Sequence, residues 1–204
     1  MINTLSTKSL VLFGAVSLAG GLSGQDISNA ERDQALRYLA ETRAGVIDAV
    51  KGLSEAQFNF KPAPDRWSVA EILEHISIVE NVVLSSVRVR LEKAPGPTAA
   101  HDAKQVDAKV LATVPDRSAK VKAPPQLSPT GASAPSVYLE RFLDSRQQTI
   151  NWLKSDAGLR GHVVDHPVLG PLDGYEWILA AAGHSERHTK QILEVKADPN
   201  FPAN

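Results

Sequence analysis

Apolar residues recur every three or four positions in four stretches of the chain, and each stretch predicts an amphipathic helix. The first runs from about Ser28 to Leu53, with Ala35, Leu36, Leu39, Val46, Ile47 and Val50 on one stripe. Ser28 or Asn29 suits its N-cap, Glu31 and Asp33 suit the positive end of its dipole, and Gly45 weakens the pattern without breaking it. Phe58 to Arg66 contains Pro62 and Pro64 and reads as a connection. The second helix opens at Ser68, which forms a capping box with Glu71, and its stripe of Val69, Ile72, Leu73, Ile76, Val79, Val83 and Val87 continues to about Leu91. Pro95, Gly96 and Pro97 end it. The third helix runs from near Ser136 to about Asp156, stopped by Gly158 and Gly161, and the fourth from about Gly174 to Val195 with Asp173 as cap. Residues 95–135 hold seven prolines and no aromatic residue, the composition of a long crossover loop, partly extended or mobile. A short helix between Asp102 and Leu111 fits inside it. No alternating strand pattern and no internal repeat stands out. The expected architecture is all-α: a four-helix bundle with a long crossover loop between helices two and three.

Composition narrows the setting. The chain has 204 residues, 43% hydrophobic and 22% charged, with a net charge of -1, the balance of a soluble globular protein. There is no basic excess of the kind that nucleic acid or an anionic membrane surface demands. Without cysteine the chain has no disulfide, no thiolate metal site and no cysteine nucleophile, so any metal must be held by His, Asp or Glu. At the N-terminus, Lys8 and the terminal amine are followed by an uncharged apolar run from Ser9 to Leu22, then by the small residues Ser23 and Gly24. That is the plan of a secretory signal peptide, and the run is too short to span a bilayer comfortably. The expectation is a signal over residues 1–24 and a domain over 25–204, exported to the periplasm or secreted, with no stable membrane insertion once the signal is removed. Cleavage after Ala19 is the rival site.

The strongest chemical signal is His184-Ser185-Glu186-Arg187-His188. Residues four apart share one helix face, offset by about 40° and about 6 Å, so two imidazoles so spaced reach a common ion. Trp177, Ala180, Ala181 and Gln191 lie on that same face, so both histidines sit on the stripe turned to the core, and small Ala180, Ala181 and Gly183 offer space beside them. The competing reading is a pair of core histidines satisfied by hydrogen bonds. His75 lies among Ile72, Ile76 and Val79, on the inward stripe of the second helix. A lone histidine facing a pair on another helix is a usual way to build a metal site in a bundle.

The stretch Pro64-Asp65-Arg66-Trp67-Ser68-Val69-Ala70-Glu71-Ile72-Leu73-Glu74-His75-Ile76 resembles the start of helix two in the DinB-like (DinB/YfiT) superfamily. His166-Pro167-Val168-Leu169-Gly170-Pro171, Glu176-Trp177 and His184 to His188 resemble that family's final helix and its approach, and the likeness spans roughly Ile27 to Lys196. The resemblance implies a four-helix bundle with a long crossover and a metal triad of one histidine from helix two and two from helix four: His75, His184 and His188. The long, proline-rich 95–135 segment and the export signal depart from simpler members.

Three neutral ligands leave a divalent ion's charge intact and its remaining positions open, which is the setting for activated water, a bound thiolate or a polarised carbonyl. Zinc and nickel suit the ligand set best; iron, cobalt and manganese are also accepted by it. Glu186 projects away from the paired histidines and reads as solvated. Glu71 reads first as a cap and second as an acceptor for an imidazole N–H. Gln191 is a candidate contact for substrate or water. His166 reads as a turn residue or a residue over the bundle's end, and His101 and His162 read as exposed loop residues. Trp67 and Trp177 read as core anchors. The resemblance implies a metal-dependent enzyme acting on a small molecule, because characterised relatives include transferases and isomerases that use low-molecular-weight thiols, and others are taken to be hydrolases. The alternative is a non-catalytic, metal- or small-molecule-binding protein of the cell envelope, favoured by the lack of a clear general base. An apolar bundle face would also serve a homodimer.

Overall fold

The computed structural model describes residues 26–155 and 158–203. The expected export segment, residues 1–24, lies outside the described residues.

Helix α1 (Asn29–Val50) starts from a capping box in which Ser28 and Glu31 satisfy each other's backbone N–H. A short helix, α2 (Glu55–Asn59), follows and only enters the start of the expected Phe58–Arg66 connection; Ser54 and Gln57 form its own capping box. Helix α3 (Val69–Val82) opens on the Ser68–Glu71 box and runs without a break through a π-turn at Val83–Val87 into α4 (Arg88–Leu91). The crossover then contains α5 (Ala103–Thr113), capped by Asp102, and a single 3-10 turn at Pro125–Leu127. Helix α6 (Pro135–Ser155) leads to an antiparallel hairpin of β1 (Val163–His166) and β2 (Gly170–Asp173), which feeds directly into α7 (Gly174–Lys196).

The hairpin is a departure from the all-α expectation. Its strands are four residues each, too short for alternation to show in sequence, and its register pairs Val163 with Asp173 and His166 with Gly170. Gly170 turns at φ +85°, where a side chain would be strained. The residue that begins α7 is a glycine for a steric reason: its N–H donates to Leu159 O at 2.7 Å, and a Cβ would stand 2.9 Å from that same oxygen.

In the bundle α1 packs on α7 and α6, and α3 packs on α6 and α7, so α1 and α3 stand diagonally opposite; α5 lies outside α7. The apolar interior is in two parts. One gathers Leu39, Val87, Trp152, Leu172, Tyr175 and Ile178; the other gathers Val46, Ile72, Leu73, Ile76, Phe142 and Ile192. A polar layer separates them, with Thr42 from α1, Glu80 from α3, Arg146 and Thr149 from α6 and Ser185 from α7, all buried. Arg146 is fully buried and uses its whole fork: Nε and Nη2 donate to the two oxygens of Glu80 at 2.7 and 2.9 Å, Nη1 to Leu39 O and Thr42 Oγ1, and Nη2 also to Ser185 Oγ. One guanidinium thus ties all four long helices at the same level, one residue from His184.

Candidate metal centre

His75 comes from the middle of α3, and His184 and His188 from successive turns of α7. Their ring centroids are 4.9, 4.6 and 4.4 Å apart, and one nitrogen from each ring lies within 4.8 Å of the others. Nε2 of His75 and Nε2 of His184 are 3.1 Å apart. Bonds of ~2.0–2.1 Å to one ion place neighbouring nitrogens about 3 Å apart, so the spacing fits a shared cation.

Hydrogen bonds fix which nitrogen faces the centre. His75 Nδ1 is 2.6 Å from Leu127 O, and a carbonyl only accepts, so Nδ1 carries the hydrogen and Nε2 the lone pair. His188 Nδ1 is 2.8 Å from Gln191 Oε1, which also accepts from Arg117 Nη1 at 3.3 Å. Arginine only donates, so that side-chain atom is the amide oxygen, His188 Nδ1 donates to it, and its Nε2 is left as a base. Both oxygens of Glu194 clamp Arg117 in turn, at 2.6 and 2.8 Å. Gln191, a candidate for contact with substrate or water or for a supporting role behind a ligand, orients His188. Burial, reinforced by the neighbouring imidazoles, holds His184 well below the ordinary histidine pKa and His188 down at about 3; burial likewise lowers His75. All three are neutral at pH 7, the form a metal needs. The donor set therefore fits a divalent ion.

The crossover covers this cluster. Residues 115–131 form a strap held at both ends. Lys190 Nζ donates to Pro115 O and Arg187 Nη2 to Ala119 O. At the far end Glu74 accepts from Thr130 N, Thr130 Oγ1 and Gly131 N at 3.0, 2.7 and 2.8 Å. Burial would raise the Glu74 pKa, but these bonds outweigh it and keep the carboxylate ionised. Trp67 packs on the outside of His75 and His188, at 4.9 and 6.4 Å between ring centres.

The remaining candidates are hydrogen-bonded elsewhere, though His166 is near enough for its charge to act on His184. Glu71 serves the Ser68 cap and pairs with Lys61 at 2.9 Å. His166 closes β1, its Nδ1 accepting from the Val168 and Leu169 amides, with its ring 5.0 Å from Trp177. Glu186 is half-buried rather than freely solvated, taking hydrogen bonds from Tyr38 and Lys190, both at 2.6 Å. A Cβ on Gly183 would stand 3.2 Å from Val114 and 3.3 Å from the Tyr38 hydroxyl, so this glycine makes room for those two side chains. His162 is exposed, as expected.

His101 is not an exposed loop residue. Its side chain is 8% exposed, with Nε2 3.0 Å from Glu176 and 3.9 Å from Asp173. Burial, with Asp173 beside it, pushes Glu176 up to about 8, so Glu176 is protonated at neutral pH and shares a hydrogen bond with His101 Nε2. These three residues could also be grouped as metal ligands, but Arg160, 2.8 Å from Asp173 and 3.8 Å from Glu176, already supplies the cation. Arg160 binds Asp107 of α5 and Glu31 of α1 as well, both at 2.7 Å. The Asp173 cap was visible in the sequence; no signal there linked it to a histidine 72 residues earlier.

Fold and site together define a helical bundle with an internal cluster of three neutral histidines under a strap. The chain belongs to the DinB superfamily, whose sequence profile matches residues 32–192. It is 31% identical over 160 residues to the uncharacterized protein YuaE of Bacillus subtilis (strain 168), an alignment covering 76% of this chain and 93% of that one. YfiT from Bacillus subtilis, described as "a probable metal-dependent hydrolase with an unusual four-helix bundle topology", superposes with a TM-score of 0.55 at 17% identity, over 86% of this chain and 91% of its own. The four-helix bundle protein TT2238 superposes with a TM-score of 0.51, also at 17% identity, over 80% and 98%. No described helix is long and apolar enough to cross a membrane.

Proposed function

We propose that the protein is a divalent-metal-dependent enzyme that works outside the cytoplasm, with His75, His184 and His188 holding zinc or nickel. The observation that carries this reading is the 3.1 Å approach of two Nε2 atoms, with the outer nitrogens of His75 and His188 committed to Leu127 and Gln191. His75 Nε2 is held as a lone pair, so the 3.1 Å gap is bridged either by the N–H of neutral His184 or by a cation, and three neutral imidazole donors within 4.8 Å of one another suit the cation. A bound ion would supply a Lewis acid, able to activate water, a thiolate or a carbonyl. The chain's own part is to keep three donors neutral, to fix the tautomers of His75 and His188 and to exclude bulk water with the strap. The wording attached to YfiT favours hydrolysis, and the family resemblance favours thiol transfer; both begin from this site. The export reading rests on the N-terminal pattern of Lys8 followed by Ser9 to Leu22.

A non-catalytic binding role is the second reading. It is favoured by Glu74, the carboxylate next to His75, being tied to the strap by three hydrogen bonds and so not free to act as a base. Elemental analysis of the mature protein beside a His184→Ala variant tests the site. About one metal per chain, lost in the variant, is the expected result; no metal in either after reconstitution with zinc and nickel overturns it. Turnover in hydrolysis or thiol-transfer screens that disappears with a chelator separates enzyme from binder. Mass analysis of the N-terminus of protein from the cell envelope tests export.

A further inference from the structure

Two of the three histidines are held from behind by the same strap. The carbonyl that fixes His75 belongs to Leu127, the last residue of the 3-10 turn at Pro125–Leu127. Pro124 and Pro125 lock φ there, and the Leu127 and Ser128 amides close the turn on their carbonyls at 2.9 and 3.2 Å, so a stiff element presents that oxygen. Near the strap's other end, Arg117 Nη1 donates to Gln191 Oε1, the oxygen that accepts from His188 Nδ1. Arg117 is itself gripped by both oxygens of Glu194.

Helices α3 and α7 thus carry the donors, while the crossover supplies the acceptor for His75 and the clamp on the acceptor for His188. Hydrogen bonds of this kind hold the ring orientation and tautomer of a metal-binding histidine and raise its basicity. Undocking the strap removes both at once. Arg117 also offers a test by sign. Its positive charge is close enough to act on His188, so on charge alone its removal should favour a cation among the imidazoles. If it acts by holding Gln191 in place, its removal should weaken the ion instead.

We propose that the strap positions the histidine donors, with Arg117 and the Leu127 carbonyl as its positioning groups, so that ion binding and strap docking form one coupled equilibrium. A bound ion tightens the strap, and a loosened strap releases the ion. This rests on the metal-site reading and adds what controls that site. The coupling is reciprocal: the factor by which docking raises ion affinity is the factor by which the ion favours docking. Loss of one such hydrogen bond costs about 10–100-fold in metal affinity, so the factor should be about tenfold or more.

The test uses the full mature chain, with zinc affinity measured by competition with a coloured chelator and amide exchange measured with and without zinc. Arg117→Met should weaken zinc binding about tenfold or more. Lys120→Met, which removes an exposed strap cation, should leave it within about twofold. Zinc should slow exchange of the Thr130 and Gly131 amides, which are freed when the strap opens, about tenfold or more beyond any slowing at Val163, whose N–H bonds Pro95 O outside the strap. Zinc affinity unchanged or raised in Arg117→Met, or equal slowing at the strap and at Val163, overturns the proposal. Ring nitrogen shifts give a readout without the ion. Both His75 and His188 should carry hydrogen on Nδ1 in the wild type; in Arg117→Met, His188 should lose its fixed tautomer and His75 keep it, with α1 amides still protected as the mark of an intact fold. A chain that takes no zinc but shows this tautomer change loses the metal reading and keeps Arg117 as a positioning residue. One that takes zinc with the same affinity in Arg117→Met keeps the metal reading and loses this proposal.

Discussion

At the scale of single residues, the histidine cluster was legible because its geometry is local. A spacing of four on one helix places His184 and His188 together without any tertiary knowledge, and the inward stripe of α3 supplies His75. The residues that orient them were harder. Gln191 was open between a contact with substrate or water and a supporting role behind a ligand, because nothing in sequence shows that Arg117 reaches across from the strap and fixes its amide. The prediction is that Gln191→Leu keeps the fold and lowers metal affinity about 10–100-fold, the usual effect of losing a ligand's outer hydrogen bond. Competition with a coloured chelator measures it, and unchanged affinity would remove the orienting role. Arg146 was equally invisible, one of five charged residues in an amphipathic helix. It is fully buried, and Glu80 is 2% exposed, so removing one partner leaves the other charged and unpaired in the core. Arg146→Leu should destabilise by about 3–5 kcal/mol, while Arg146→Leu with Glu80→Leu should cost less than Glu80→Leu alone. Chemical denaturation of the three variants decides; a double variant worse than either single would refute the account.

At the scale of elements, the helices were legible and the crossover was not. Four capping boxes mark helix starts, three of them with Ser as cap and one with Asp173. The proline content of the crossover says correctly that most of it cannot be helical, but composition cannot say whether such a segment is loose or docked. It is docked, through backbone groups: Leu127 O on His75, Pro115 O and Ala119 O on α7 side chains, and the Thr130 and Gly131 amides on Glu74. Gly131 has φ +69°, which lets its N–H turn towards that carboxylate. Glu74 is therefore the latch of the strap. Glu74→Ala should speed hydrogen exchange at residues 125–131 by about tenfold or more, since two backbone amides lose their acceptor, while α1 and α6 keep their protection. Exchange unchanged in the strap would show that the Glu74 bonds do not hold it. The start of α7 gives a second test. Glu176 is protonated at neutral pH in the folded chain but ionised when unfolded, so Glu176→Gln, an isosteric amide that takes up no proton on folding, should stabilise the protein at pH 7 and reduce the fall of stability between pH 4.5 and 8. A large loss would mean that the carboxylate is ionised.

At the scale of the whole molecule, two sets of buried ionisable groups act on stability in opposite directions. The imidazoles of His75, His184 and His188 all bind protons more weakly in the folded chain than the ordinary value of 6.5, and His188 is down at about 3. Below 6.5 the unfolded chain therefore holds more protons, and stability must fall with falling pH. Each such group contributes a slope of up to about 1.4 kcal/mol per pH unit. Glu176 is shifted the other way, from 4.5 to about 8, so its contribution is complete below 4.5 and is lost as pH rises towards 8. Three histidines outweigh one glutamate below 6.5; above it the histidines no longer contribute to the slope and Glu176 still does. Metal-free protein should thus be most stable near pH 6.5, falling steeply on the acid side and gently up to pH 8. A bound ion would steepen the acid limb, because it needs all three imidazoles neutral, and would raise the neutral plateau by an amount set by its affinity. Urea unfolding from pH 4.5 to 8.5, with and without zinc, measures both effects. Replacing the three histidines by glutamine should flatten the acid limb and abolish the zinc dependence while leaving the Glu176 slope in place. An acid limb that survives this replacement would assign the pH dependence to groups outside the cluster.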